Sequence, residues 1–89
     1  MFGQIQNYYE TLVFDAVREK LADAPDMSDE LLEDIACVTL NSLPPRYLRN
    51  AVDLVSHMGD VEEQQLHAEV DRALERAVET VRRRHSVDR

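Results

Sequence analysis

One short segment of the chain carries residue types that can bind an anion. Arg46, Tyr47, Arg49 and Asn50 lie within five residues of one another, directly after a pair of prolines. Guanidinium groups form strong, often bidentate hydrogen bonds to phosphate oxygens, and the flat ring of a tyrosine can stack on another flat group. The segment therefore has the chemistry expected of a site for a small anion.

The elements on either side of this segment must hold these side chains in place. Leucine before proline is pushed out of the α region, so the preceding helix must end at Leu43. Pro45 suits the first position of a helix, which is predicted over residues 45–58. The two helix ends form a rigid corner that projects Arg46 and Tyr47 beside free amide groups, which favour anions.

Most of the remaining chain shows helical periodicity. Apolar residues recur at three- and four-residue intervals over residues 4–22, from about residue 28 to residue 42, and over residues 60–84, and each stretch is predicted to be helical. With residues 45–58, this gives an all-α, compact bundle of about four helices. The 89 residues are expected to form a single domain, residues 1–89, with a frayed tail at 85–89.

Local signals predict where these helices begin and end. Asp26 or Ser28 can cap the second helix through a side-chain oxygen. Gly59 is well placed as the left-handed residue that ends the third helix. Asp60, with Glu63 three residues later, has the spacing of a capping box at the start of the fourth.

The first helix has more apolar surface than one neighbour can cover. With Phe14, Val17 and Leu21, its apolar arc reaches roughly 240° of the circumference. A chain of this length buries only about 60–65% of the surface that its unfolded form exposes, so its stability is marginal without help. We therefore expect a homodimer, in which a second subunit covers part of this helix.

Charge and hydropathy exclude several classes of partner. The formal net charge of −8 repels duplex nucleic acid, although small basic islands such as Arg46 with Arg49 can still bind small anions. No apolar stretch approaches the roughly 20 residues that span a bilayer. Residues 1–6 lack the basic start and apolar run of a secretory signal. We expect a cytoplasmic protein that binds neither duplex nucleic acid nor a membrane.

No group of residues has the pattern of a metal or catalytic site. Cys37 is the single cysteine and is predicted to be a small core side chain. His57, His67 and His85 lie on different elements without a second ligand at i, i+4, and we expect all three at the surface. No phosphate-loop glycine pattern is present, and no carboxylate pair has an apolar setting. We expect no enzymatic activity and no cofactor.

Two blocks of residues resemble the ComFB family, which is named for a late competence development protein. Residues 7–14 contain Asn-Tyr-Tyr-Glu followed by Leu-Val-Phe, and residues 34–47 contain Asp-Ile-Ala, Thr-Leu-Asn and Leu-Pro-Pro-Arg-Tyr. The resemblance covers about residues 5–50, and its second block is the more specific. It implies a small all-helical homodimer. Many members of this family hold a structural zinc in a cysteine-rich loop, and members from photosynthetic bacteria are described as receptors for cyclic di-GMP.

The chain departs from this family where the zinc ligands would lie. Residues 26–33 contain no thiol, and Cys37 falls at a position that the family does not use as a ligand. We therefore expect no zinc. An ordinary helix cap and an acidic first turn stand in this chain where relatives have a metal.

The resemblance implies a cyclic di-GMP receptor that relays a signal to a protein partner. A cyclic dinucleotide has two phosphates and two purine bases, so its receptor needs guanidinium groups and flat side chains. The candidate ligand-binding residues are Arg46, Tyr47, Arg49, Asn50, Asn7, Tyr8 and Asn41.

A structural role remains open for several of these residues. Arg46 could pair with Asp34 or cap carbonyls of the second helix, and Tyr47 could pack in the core. Tyr8 could anchor the core, and Asn41 could close a helix end. The alternative function is a dimeric adaptor of the competence or motility type that binds no nucleotide.

Overall fold

The structure is a computed structural model that describes residues 2–50 and 58–87. Its elements, in chain order, are β1 (Gln6–Asn7), α1 (Tyr8–Lys20), α2 (Asp29–Ser42), β2 (Tyr47–Leu48) and α3 (Asp60–Val87). The two short strands pair in antiparallel fashion, with Gln6 opposite Leu48 and Asn7 opposite Tyr47. The chain is mostly helical, as the sequence predicts.

The long helix α3 packs against both α1 and α2. Its 28 residues give it a length of about 42 Å. The predicted apolar stripe of α3 is confirmed, since Val70 and Val81 are almost completely buried, together with Val13 of α1 and Ile35 of α2. Full burial of one such side chain stabilises the fold by about 1.5–3 kcal/mol. The core therefore lies along α3.

The limits of α2 agree with the sequence signals. Ser28, one of the two predicted caps, accepts a hydrogen bond at Oγ from the amide of Leu31 at 3.1 Å. At the other end, Leu43 has an extended backbone, with φ −99° and ψ 144°, directly before the two prolines. The predicted end of the helix at Leu43 is thus confirmed.

The helix predicted from Pro45 is wrong over the residues that the structure describes. Tyr47 and Leu48 form β2 instead, because their backbone groups pair with Gln6 and Asn7 from the start of the chain. The same pairing explains why α1 begins at Tyr8 and not at residue 4. Periodicity along the chain does not report such a long-range pairing. Residues 51–57 of the predicted helix lie outside the described residues.

Three further expectations require correction. Gly59 has no positive φ, so it does not take the left-handed conformation. The amide of Glu63 donates to the carbonyl of Gly59 at 3.0 Å, and α3 already includes Asp60, so Asp60 does not lie at the cap position. Cys37 is exposed rather than buried in the core, because it falls on the outer side of α2.

Three further results concern the end of α3, the histidines and membrane crossing. Helix α3 continues to Val87, so the prediction of a frayed tail is wrong for residues 85–87, whereas residues 88–89 lie outside the described residues. His67 and His85 are exposed, as predicted, whereas His57 lies outside the described residues. Within residues 2–50 and 58–87, no helix is both long enough and apolar enough to cross a membrane.

Candidate functional site: the Asn7–Arg46 corner

One asparagine joins the start of α1 to the segment after the two prolines. Oδ1 of Asn7 accepts a hydrogen bond from the amide of Tyr9 at 3.2 Å, which caps α1, and a second from the amide of Arg46 at 3.1 Å. The amide of Tyr8 donates to the carbonyl of Arg46 at 2.8 Å. Both backbone groups of Arg46 are therefore held. We call this hydrogen-bonded arrangement of Asn7, Tyr8 and Arg46 the corner.

The strand β2 turns alternate side chains inward and outward. Leu48 is partly buried and packs against the core, whereas Tyr47 is 64% exposed and Arg49 is exposed. Arg49 follows β2 directly, at a bend of the chain. An aromatic ring and a guanidinium group are therefore both exposed in and directly after β2.

Arg49 also lines a surface cleft with the first residues of the described chain. The cleft has a volume of about 530 Å³, and the other residues that line it are Phe2, Gly3, Gln4 and Ile5. Phe2 and Ile5 are exposed apolar side chains. The cleft thus combines apolar walls with one cationic group, as many small-molecule sites do.

The side chain of Arg46 already has an acidic partner. Its Nη2 lies 3.1 Å from Oε1 of Glu62 on the first turn of α3, and the side chains are 34% and 50% exposed. Asp34, the partner considered from the sequence, instead lies 3.4 Å from Nε2 of His85. The sequence does not identify Glu62 as the partner of Arg46, because acids are common in the first turn of a helix, where they stabilise the helix dipole.

Two buried tyrosines lie beneath the corner. Tyr8 is only 7% exposed, which confirms that it anchors the core. Burial raises its pKa above the usual value, the Glu63 carboxylate adds to this, and the Arg46 guanidinium opposes it. Tyr9 donates its hydroxyl hydrogen to Oε2 of Glu69 at 2.8 Å, and burial, this hydrogen bond and the Glu69 charge raise its pKa against the opposing charge of Arg46.

The candidate residues from the sequence separate into three groups. Asn7, Tyr8 and Arg46 meet directly in the corner, with Tyr8 as part of the core. Tyr47, Arg49 and Asn50 follow in the same segment and are exposed, so the expectation that Tyr47 could pack in the core is wrong. Asn41 is exposed on the last turn of α2, on the other side of the two prolines.

The residues present do not fit a structural zinc site. Among residues 2–50 and 58–87, no three His, Cys, Asp or Glu side chains are grouped so that they could hold a metal ion. The single cysteine is exposed on α2, and the loop between α1 and α2 supplies no thiol. Structural zinc sites typically use four Cys or His ligands, so this donor set is unsuitable.

The fold and the corner together define a class of protein. It is a small helical domain in which a two-stranded ribbon ties the first helix to the segment after a double proline. The family described as "Late competence development protein ComFB" matches residues 6–85. The chain therefore belongs to the ComFB family, and the match extends the resemblance from about residue 50 through most of α3.

Comparisons with individual proteins add no closer relative. No curated protein and no solved structure shows significant similarity to the chain.

Proposed function

We propose that the chain is a cytoplasmic receptor for a cyclic dinucleotide, with cyclic di-GMP as the first candidate, and that it relays the bound state to a protein partner. The chain belongs to the ComFB family, and the resemblance given by residues 7–14 and 34–47 implies a cyclic di-GMP receptor. The observation that carries it is the exposure of the Tyr47 ring and the Arg49 side chain in and directly after β2. No catalytic residue is part of the proposal.

The ribbon offers the two kinds of contact that a cyclic dinucleotide needs. The exposed ring of Tyr47 provides a stacking surface for a purine base, and such stacking is worth about 1–3 kcal/mol per base. Arg49 provides hydrogen-bond donors and a positive charge for a phosphate. Asn50 follows directly and can donate to or accept from a base edge.

The held backbone of the corner also favours binding. Because hydrogen bonds fix both backbone groups of Arg46, the segment that carries Tyr47 and Arg49 starts from a defined position. A pre-organised site loses less conformational entropy when the ligand binds. The local cations offset the negative field of the chain, whose formal net charge is −8.

Calorimetric titration with cyclic di-GMP tests the proposal, with cyclic di-AMP and GTP as ligand controls. We expect saturable binding in the micromolar range or tighter that is selective for cyclic di-GMP. A ligand at a hundredfold excess over its Kd should also stabilise the fold by about 2.7 kcal/mol. Absence of both heat and stabilisation at high ligand concentration would reject the receptor.

Variants of the ribbon should separate ligand contacts from structural residues. Tyr47→Ala and Arg49→Ala should each weaken binding about tenfold or more, since each removes one strong contact. Arg46→Ala should weaken binding at least as much, since it removes a guanidinium group that can hold a phosphate. The helix content should stay intact, because the backbone hydrogen bonds of Arg46 remain. Arg76→Ala is the matched control, since it removes an exposed arginine about 21 Å along α3 from Glu62.

A homodimer is part of the proposal. Phe14 is 42% exposed in the middle of α1, between residues that face the core. A second subunit on this face would remove the exposed part of the ring from water, and because only 42% of the residue is exposed, this burial contributes about 1 kcal/mol. We expect Phe14→Glu to shift the mass measured by light scattering from dimer towards monomer, whereas Phe2→Glu should leave it unchanged. A monomeric wild-type chain would reject this part.

The adaptor is the second candidate, and exposed apolar side chains favour it. Phe2, Ile5, Tyr47 and Val61 are all exposed, and they belong to the ribbon, the segment before it and the first turn of α3. Contiguous exposed apolar groups are typical of protein interaction surfaces, and Phe2 and Ile5 line the same cleft. If the chain gains no stability from any cyclic dinucleotide, this cleft becomes the leading site, and Phe2→Ser with Ile5→Ser should then weaken capture of a protein partner.

A further inference from the structure

The guanidinium group of Arg46 is paired with an acid of the chain itself. Its Nη2 lies 3.1 Å from Oε1 of Glu62, while Asn7 and Tyr8 hold its backbone amide and carbonyl. The backbone of Arg46 is therefore fixed, and only its side chain can change partner. Glu62 accepts from one nitrogen of a guanidinium group that has five N–H donors, and its carboxylate balances the positive charge, so an anion that enters the corner competes with Glu62 for that charge.

Glu62 also lies where the fold attracts negative charge. The start of a helix carries a partial positive charge, and in α3 the acids Asp60, Glu62 and Glu63 occupy the first turn. These carboxylates satisfy the helix dipole from within the chain. An incoming phosphate consequently meets repulsion from all three and competes directly with one.

We propose that Glu62 is a built-in competitor for the anionic ligand, and that a bound phosphate replaces it on Arg46. The inference rests on the receptor function proposed above. A tethered carboxylate competes at an effective concentration in the millimolar range, on the order of that for short flexible links. Because the ion pair is substantially exposed, the exchange is energetically small in either direction.

Displacement of Glu62 also provides a route by which binding changes the surface. Val61 is its neighbour on the first turn of α3 and is 68% exposed. When the carboxylate leaves Arg46, a free negative charge lies next to Val61 in place of a paired one. A protein partner that contacts this turn would then meet a different charge in the bound chain and in the unbound one.

Three variants of the first turn test this inference by titration with cyclic di-GMP. Glu62→Gln removes the competing charge, and Glu62→Asp keeps the charge but shortens the side chain so that it no longer reaches Arg46. We expect both to bind about two- to fivefold more tightly than the wild type, the range expected from an exposed ion pair. Glu63→Gln is the matched control, because Glu63 lies on the same turn but has His67 as its partner at 3.8 Å.

The pattern across the variants separates the possible explanations. Equal tightening by Glu62→Gln and Glu63→Gln, with no effect of Glu62→Asp, would show that only the total negative charge of the first turn matters. This result would overturn the proposal that Glu62 competes with the ligand for Arg46. Unchanged affinity of both Glu62 variants would overturn it while the receptor function stands. If neither the wild type nor any variant binds, both proposals fail. Circular dichroism should show the same helix content in all variants.

Discussion

The regions near the two ends of α3 are held together in different ways. Near its start, hydrogen bonds of partly buried groups join the ribbon to α1, and one oxygen of Asn7 accepts from two amides. Near its end, contacts between exposed side chains tie α2 and the loop before it to α3: Asp26 forms an ion pair with Arg82 at 3.2 Å, and Oδ2 of Asp34 lies 3.4 Å from Nε2 of His85. The side chains of both pairs are at least half exposed.

This difference indicates where the fold can tolerate substitutions. Exposed ion pairs contribute about 0–1 kcal/mol each and weaken further in salt. A partly buried amide that loses its partner costs about 1–3 kcal/mol. The geometry of the corner is therefore fixed, whereas the loop between α1 and α2 can change in sequence with little loss of stability. A binding site needs the first property, and the candidate residues Tyr47 and Arg49 lie at the fixed end.

Loss of the asparagine that bridges the corner should have the largest effect. Asn7→Ala removes the cap of α1 and the acceptor of the Arg46 amide, so we expect a loss of about 2 kcal/mol in the free energy of unfolding. Ser28→Ala is the matched change at the other region, since Ser28 caps α2 only, and it should cost about 1 kcal/mol. Denaturant unfolding measures both. Equal losses would contradict the contrast between the two regions.

The buried tyrosines should make stability fall at alkaline pH. Because the folded state raises the pKa values of Tyr8 and Tyr9, it favours their neutral forms, and this contribution is complete below about pH 10, the unfolded value. It is lost as the pH rises through the folded pKa values. Tyr9→Phe should cost about 1 kcal/mol near neutral pH, through the lost Glu69 hydrogen bond, and should reduce the alkaline fall.

Unfolding curves at several pH values up to the alkaline range test this prediction. Tyr47→Phe serves as the control, because it removes the hydroxyl group of an exposed tyrosine outside the core. An alkaline slope that is identical in the wild type and Tyr9→Phe would be evidence against a protected tyrosine beneath the corner.

Removal of the charges of Asp26 and Asp34, which contact the end of α3, should have the smallest effect. The double variant Asp26→Asn with Asp34→Asn neutralises both acids that pair with α3, and we expect it to cost less than about 1 kcal/mol. High salt should erase most of this cost, since salt screens exposed charges. Thermal unfolding at low and high salt measures it. A loss that matches that of Asn7→Ala, or that persists in salt, would place the loop among the fixed parts of the fold.

Local sequence signals predict the helices but not the ribbon. The helical class, the cap at Ser28, the end of α2 at Leu43 and the buried stripe of α3 all follow from short-range rules. The same rules fail at Pro45, where a proline suited to a first helical turn is followed by a strand. Pairing across about 40 residues decided that conformation, and no local pattern contains it.

The candidate site is predictable in composition but not in arrangement. The sequence identifies Arg46, Tyr47 and Arg49 by residue type, and Tyr47 and Arg49 are both exposed. It does not reveal that Glu62 neutralises Arg46, because the two residues come together only through tertiary packing. Asn7 is likewise found as a candidate contact, yet its observed contacts are with the backbone of the corner.

Mapping of amide chemical shifts during titration with cyclic di-GMP tests the proposed site most directly. We predict that the signals of residues 5–8, 46–50 and 60–63 move in a saturable manner, while those of Asp26, Asp34 and Arg82 stay in place. A chain whose signals do not move, or move mainly around the loop and the end of α3, would contradict the assignment of ligand binding to the corner.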